Sequence, residues 1–285
     1  MRDAMKSSRK FPSAKSRPAG GFTLVELLVA IAVLGALVLV LAQIFGTMNS
    51  VWLYGEGKVN NFTKGRAMLN LLENDLCAAV FRPDLAAFPN GTFKFYTARP
   101  GIPVEAGAPR NVSLIQYALT TGTTNGLPTS TLQRSDMPVS WTDAATYLAF
   151  GNTGGFASTA SGATTGALTP RDTAPGVVAF QVLFIQSNGS FSTTTFTPVL
   201  SPSGTANPNP TRGIGVTLAV IDDQAMKILT ATQVTALQNG FSGAVTGTRA
   251  VKADWETYLN AIPWSNYPKK LGTGIGIFEC YVSVR

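Results

Sequence analysis

The sequence predicts an α+β chain: one long amino-terminal helix followed by a β-rich globular head with an antiparallel sheet. Three observations lead there. Residues Phe22 to Phe45 are apolar apart from one charge and a few small or polar side chains, and no proline occurs between Phe22 and Arg82, with Pro83 the first stop. After Pro83, short runs rich in β-branched and aromatic residues are bounded by Gly, Pro or Asn, the pattern of strands joined by turns. A hydrophobic fraction of 45% with 13% charged residues over 285 residues supplies ample core material, which excludes a disordered chain.

The first element is a basic leader, residues 1–21. It carries Arg2, Lys6, Arg9, Lys10, Lys15 and Arg17 against Asp3, a balance of +5, so most of the formal charge of +7 sits here. The remaining 16 basic and 14 acidic residues nearly cancel, and beyond Lys269 and Lys270 they form no basic stripe. The charge therefore does not imply a nucleic-acid partner.

Residues 22–45 form the second element. At a rise of about 1.5 Å per residue, such a helix is roughly 36 Å long and crosses a hydrocarbon core about 30 Å thick with some tilt. The basic flank precedes it and the first charges after it are Glu56 and Lys58, an asymmetry that orients the amino terminus to the cytoplasm and the rest outward. One charge lies inside the run, Glu26. A carboxylate in hydrocarbon costs about 2.5–3.5 kcal/mol on insertion scales, so it requires a partner or a function. Two ordinary readings stay open on these residues alone. One is a secretory signal peptide cleaved after Val40-Leu41-Ala42, before Gln43. The other is a plain signal anchor whose Glu26 snorkels towards headgroups.

The third element, residues 46–82, continues the helix. Phe62, Leu69, Leu72, Leu76 and Val80 share one face, while Lys64, Asn70 and Asn74 fall elsewhere, so this half is amphipathic and packs on the head. Gly55 and Gly57 predict a break or flexible joint, because each glycine costs about 1 kcal/mol relative to alanine in a helix.

The head, residues 83–285, carries candidate strands at Thr92–Thr97, Val112–Leu119, Thr146–Phe150, Gly176–Gln186, Gly215–Ile221 and Gly276–Val284. Helices are predicted over Asp222–Leu237, capped by Asp222 or Asp223, and over Val251–Ala261. The Gly, Ser, Thr and Pro content of residues 151–176 and 201–213 predicts mobile outer loops.

The stretch "GGFTLVELLVAIAVLGAL" resembles the N-terminal signature of type IV pilins and of type II secretion pseudopilins. The resemblance implies a pilin-like fold and cleavage by a prepilin peptidase between Gly21 and Phe22, with N-methylation of Phe22. It also implies that Glu26 meets the new Phe22 amine, in its own or a neighbouring subunit, during assembly. Register between subunits is then the main product of this pair, since desolvation offsets much of its attraction. The partners implied are the peptidase, other pilin or pseudopilin subunits and inner-membrane lipid. "RAMLNLLENDLCAAV" resembles the helix of J-type minor pseudopilins. "SVWLYGEGKVNNF", "RAMLNLLENDL" and "GVTLAVIDD" resemble the Verru_Chthon cassette C type.

Catalytic chemistry is sparse. The sequence has no histidine, which excludes histidine-dependent triads and two-histidine zinc sites. Two carboxylate pairs, Asp222 with Asp223 and Asp254 with Glu256, are close in sequence, but such neighbours point apart on a helix or strand and read as solvated faces. No stretch gathers enough oxygens for calcium, so no catalytic residue, metal or cofactor is expected. Cys77 and Cys280 are the only cysteines. In an oxidising compartment they form a possible disulfide joining the helix to the last strand, and otherwise they read as small buried hydrophobes.

Overall fold

The computed structural model describes residues 21, 23–81, 93–100, 109–140, 169–201, 204–268, 271 and 274–284. Most of the leader, Phe22, the strand expected at Thr146–Phe150 and residues 151–168 lie outside them. The chain divides into two compact units, Met1–Trp52 and Leu53–Arg285.

The first helix, α1, runs over Leu24–Cys77. The break expected at Gly55 and Gly57 does not occur; a Cβ on Gly55 would meet nothing within 4 Å, whereas Gly57, like Gly65 further on, is closely packed. A Cβ on Gly57 would stand 2.9 Å from Asp222 Cγ, and one on Gly65 would stand 2.5 Å from the Phe278 ring. These glycines let the helix approach the head, and that contact offsets their low helix propensity.

Among the described residues two four-stranded antiparallel sheets build the head. The first has the order β1 (Phe93–Thr97), β2 (Pro109–Thr124), β3 (Leu127–Ser140) and β4 (Thr169–Pro175). The second has the order β6 (Phe191–Ser192), β5 (Val177–Gln186), β7 (Thr211–Ile221) and β8 (Ile275–Ser283). Strands β3, β4 and β6 were not expected from the sequence. The first two are rich in polar side chains and prolines, which obscures alternation. A turn signal announces β3 nonetheless: Asn125 and Gly126 both have positive φ, 53° and 79°, as a two-residue hairpin turn requires. Residues 169–175, expected as loop, pair with β3 from Thr131↔Pro175 to Asp136↔Thr169. Part of the other expected loop is also ordered. Leu200 bridges Ala206, and Asn207 Nδ2 donates to Pro198 O at 2.6 Å.

Two cores result. Met68, Leu69, Leu72 and Leu76 of α1 pack with Phe93, Phe95, Ile115 and Leu132 of the first sheet and with Val216, Leu218 and Val282 of the second. Each such side chain contributes roughly 1.5–3 kcal/mol when fully buried. Phe62, expected on the same stripe, is instead 52% exposed. The opposite face of the second sheet packs against α2 (Asp223–Lys227), α3 (Ala231–Ala244) and α4 (Val251–Ala261) through Leu183, Ile221, Leu237, Phe241 and Trp255. Strands β5 and β7, covered on both faces, therefore read as near-continuous apolar runs.

The expected Asp222–Leu237 helix is two helices. Asp222 precedes α2 but makes no side-chain cap, whereas Thr230 starts α3 with a capping box. Its hydroxyl accepts from Gln233 N at 3.2 Å, and Gln233 Oε1 accepts from Thr230 N at 3.0 Å. In α4, Trp255 Nε1 donates to Phe241 O at 2.9 Å, so its buried indole keeps a partner.

A buried carboxylate ties α1 to the first sheet. Asp75 is 1% exposed and accepts from Tyr117 Oη at 2.6 Å and from Arg134 Nε at 2.7 Å, while Arg99 Nη1 stands 3.9 Å away. Burial, with the Asp75 charge adding, pushes the Tyr117 phenol well above its ordinary range, so it remains a donor. A second acid, Asp254, is 2% exposed, accepts from Thr246 N at 2.8 Å and pairs with Arg249. Burial opposes its ionisation, but the bonds from Thr246 and Arg249 outweigh that and hold its pKa below the ordinary 3.8.

Two outcomes follow from these acids. Asp75→Ala leaves Arg134 without its buried partner and is expected to cost about 3–5 kcal/mol in urea unfolding of the head; a loss below about 1 kcal/mol would contradict the assigned role. The folded-state pKa of Asp254 is depressed, so its stabilisation is present above the unfolded value and is lost as pH falls through the folded one. Asp254→Asn should lower the melting temperature at pH 7 and flatten its decline below about pH 4, as followed by circular dichroism.

Candidate functional site

The apolar part of α1 is unlike a soluble helix. Over Leu24–Asn49, 26 residues, the helix is long and apolar enough to cross a membrane, and none of it is buried within the protein. Leu24, Leu28, Ile31, Leu34 and Phe45 are each more than half exposed, together with most of their neighbours on every face. Helices apolar all round are stable only in lipid or in a protein core. Inside the segment the hydroxyl of Thr47 is satisfied locally, its Oγ1 donating to Gln43 O at 3.0 Å. Trp52, just past the span, is 74% exposed, an amphipathic ring of the kind that settles at the headgroup layer.

Gly21 is exposed and precedes the helix, while Phe22 lies outside the described residues. Thr23 begins the helix: its Oγ1 accepts from Glu26 N at 3.2 Å, and its carbonyl accepts from Leu27 N at 3.2 Å. Glu26 thus stands three residues after a capping threonine, in the first turn, where the helix dipole favours an anion. The Thr-x-x-Glu spacing signals this in the sequence, and reasoning from lipid cost alone overlooks it. The glutamate has a local reason to sit at the helix start, in addition to any partner across a subunit boundary.

The acids of the head do not converge. Asp223 receives both of its bonds from Lys64 Nζ, each at 2.7 Å, while Asp222 stands against Gly57. Asp254 turns into the loop before α4, and the exposed Glu256 stands 3.8 Å from Lys252 Nζ. Among the described residues no group of three or more Cys, Asp or Glu side chains is arranged to hold a metal ion.

Cys77 and Cys280 are free thiols, so the disulfide considered from the sequence is not formed here. Cys77 is exposed at the last residue of α1, whereas Cys280 is half-buried on β8 beside the first core. Burial, with the charges of Glu73, Glu279 and Cys77 adding, pushes the Cys280 thiol up to about 11. Strand β8 packs beside the second half of α1, where the Phe278 ring lies against Gly65 and 6.1 Å from the Phe62 ring.

Against known proteins, the family described as "Prokaryotic N-terminal methylation motif" matches residues 16–42. That segment contains Gly21, Phe22, Glu26 and most of the apolar span. The comparison with curated proteins gives no match.

The thiols offer a direct check of the head's packing. With iodoacetamide at pH 7.5, Cys77 should react roughly ten-fold faster than Cys280 or more, because the thiolate is the nucleophile and Cys280 holds its proton. Equal rates by peptide mass mapping would contradict the assigned burial.

Proposed function

We propose that the chain is a non-enzymatic structural subunit, a minor pilin or pseudopilin, of a type II secretion or type IV pilus-like filament. One coincidence carries the reading: the methylation motif at residues 16–42 overlies a helix of membrane-spanning length whose first turn holds Glu26.

The chemistry that joins these parts is electrostatic. A prepilin peptidase cuts between Gly21 and Phe22 and N-methylates Phe22, leaving a cationic chain start four residues before Glu26. In hydrocarbon an unpaired carboxylate costs about 2.5–3.5 kcal/mol, and an amine on a neighbouring subunit removes that cost as the helix joins the bundle. Because the attraction depends on close approach, it fixes the axial position of one subunit on the next. Before assembly the same helix anchors the protein once in the inner membrane, with the basic leader cytoplasmic and the head periplasmic.

The size of the head favours a minor position at or near a filament end, since bulky heads hinder dense helical packing. The J-type resemblance of α1 agrees with a minor role. No catalytic step enters the reading.

Mass spectrometry of the mature amino terminus, with and without the peptidase, tests the proposal. A start at methylated Phe22 is expected. A start at Gln43 would assign the segment to ordinary secretion, and an intact leader would make it a plain anchor. Glu26→Gln should leave cleavage intact and reduce recovery in sheared filaments about ten-fold, corresponding to roughly 1.4 kcal/mol of lost pairing; unchanged recovery would remove the pairing from the mechanism.

A further inference from the structure

Sheet edges that stay open recruit other strands, and natural proteins usually blunt them. Among the described residues, three of the four edges here are blunted. Strand β6 has two residues. Strand β4 carries Pro170 and Pro175. The edge of β1 is occupied by the segment after α1, where Val80 N donates to Tyr96 O at 2.8 Å and Ala98 N donates to Ala78 O at 2.7 Å. The fourth edge, β8, is nine residues long, free of proline, and bonded only to β7.

Ladder geometry tells which groups of β8 are free. Val284 N donates to Arg212 O at 2.9 Å and Asp222 N donates to Gly274 O at 3.0 Å, one bond at each end of the same register. Bonded pairs alternate in an antiparallel ladder, so the even-numbered residues of β8 face β7. The N–H and C=O groups of Ile275, Ile277, Glu279, Tyr281 and Ser283 therefore point to the outer edge.

That edge opens into a groove of about 310 Å³ between α1 and the start of α4. Phe62, Leu69 and Phe278 supply an apolar lining, with the two rings 6.1 Å apart. Arg66 and Glu73 line the α1 side and are both exposed. Among the described residues Arg66 has only the Phe62 ring, at 5.6 Å, and no anion, while Glu73 has no cation. The two charges stand seven residues apart on α1, about 10 Å along its axis. Glu279 lines the α4 side of this space beside Lys252, with its carboxylate accepting from Thr217 Oγ1 at 2.9 Å and from Lys252 N at 3.3 Å.

We propose that the outer edge of β8 docks an extended strand supplied by a different protein subunit, which extends the second sheet within this groove. Backbone pairing to Ile277, Glu279 and Tyr281 provides the bonds. The matching strand turns an apolar side chain onto Phe62 and Phe278, an acidic one towards Arg66 and a basic one towards Glu73. A second copy of this chain fits poorly. Its described residues offer no other open edge, and a symmetric β8 to β8 pairing about the middle of the free groups sets Glu279 against Glu279. The partner's class rests on the filament reading; the open edge does not.

The test uses the full chain in its native host with p-benzoylphenylalanine at Asn70, an exposed residue of the groove wall. Ultraviolet light should give an adduct with a second protein, mapped by mass spectrometry to an extended segment. Tyr281→Pro removes an outward N–H without touching the bonds to β7 and should lower the adduct roughly ten-fold. Tyr281→Ala keeps that N–H and should preserve the adduct, with both variants melting alike. If neither folds, Arg66→Glu with Glu73→Arg reverses the surface charges and should give the same loss. An absent adduct, an adduct only with another copy of this chain, or one indifferent to Tyr281→Pro and to the charge reversal overturns the proposal. A sensitive adduct on a chain whose leader remains intact supports docking while removing the filament reading, and a methylated Phe22 without any adduct does the reverse.

Discussion

The head depends on one buried charge. Asp75 sits near the end of α1 at 1% exposure and gathers Tyr117, Arg134 and the more distant Arg99 around its carboxylate. A buried carboxylate is tolerated only when paired and hydrogen-bonded, so these partners must arrive together. That requirement fixes the helix axially against β2 and β3, whereas the leucine stripe beside it would tolerate sliding. Apolar contact supplies most of the burial energy here, and the acid selects one register from the many that burial would accept.

Along α1 the same backbone serves two surroundings. Up to Asn49 apolar side chains lie on every face and none of the segment is buried in the protein, while from Gly57 onward burial recurs with the helical period at Asn61, Gly65, Met68, Leu69, Leu72 and Leu76. The two glycines of that second stretch show why composition misleads. Taken singly, Gly57 and Gly65 weaken a helix, and a break at the first of them, together with Gly55, is the natural expectation. In the folded head they remove the atoms that would strike Asp222 and Phe278. Close approach of the helix to the second sheet and its following turn is worth more than the lost propensity.

The sheets were partly legible. Strands β5 and β7 declare themselves because both of their faces are covered, which leaves unbroken apolar runs. Strand β3 contributes little to either core beyond Leu132, so its sequence reads as polar loop, and only the Asn125-Gly126 turn betrays it. The start of helix α3 is masked in the sequence by two aspartates that offer themselves as caps; neither Asp222 nor Asp223 caps it, whereas Thr230 with Gln233 does, a four-residue signature that the sequence carries.

What the sequence by itself determined lies at the amino terminus: a basic leader, a glycine, a helix of spanning length and a glutamate in its first turn. These are properties of neighbouring residues, and local spacing is all that a processing signal or an apolar span requires. Tertiary structure alone decided that Asp75 meets residues 42 and 59 positions away, that Asn61 reaches Gly274 across 213 positions, and that among the described residues β8 is left with one unpaired edge. Such outcomes depend on which distant segments share a layer. No periodicity within a single segment carries that information, because the energy that selects the arrangement comes from the contact itself.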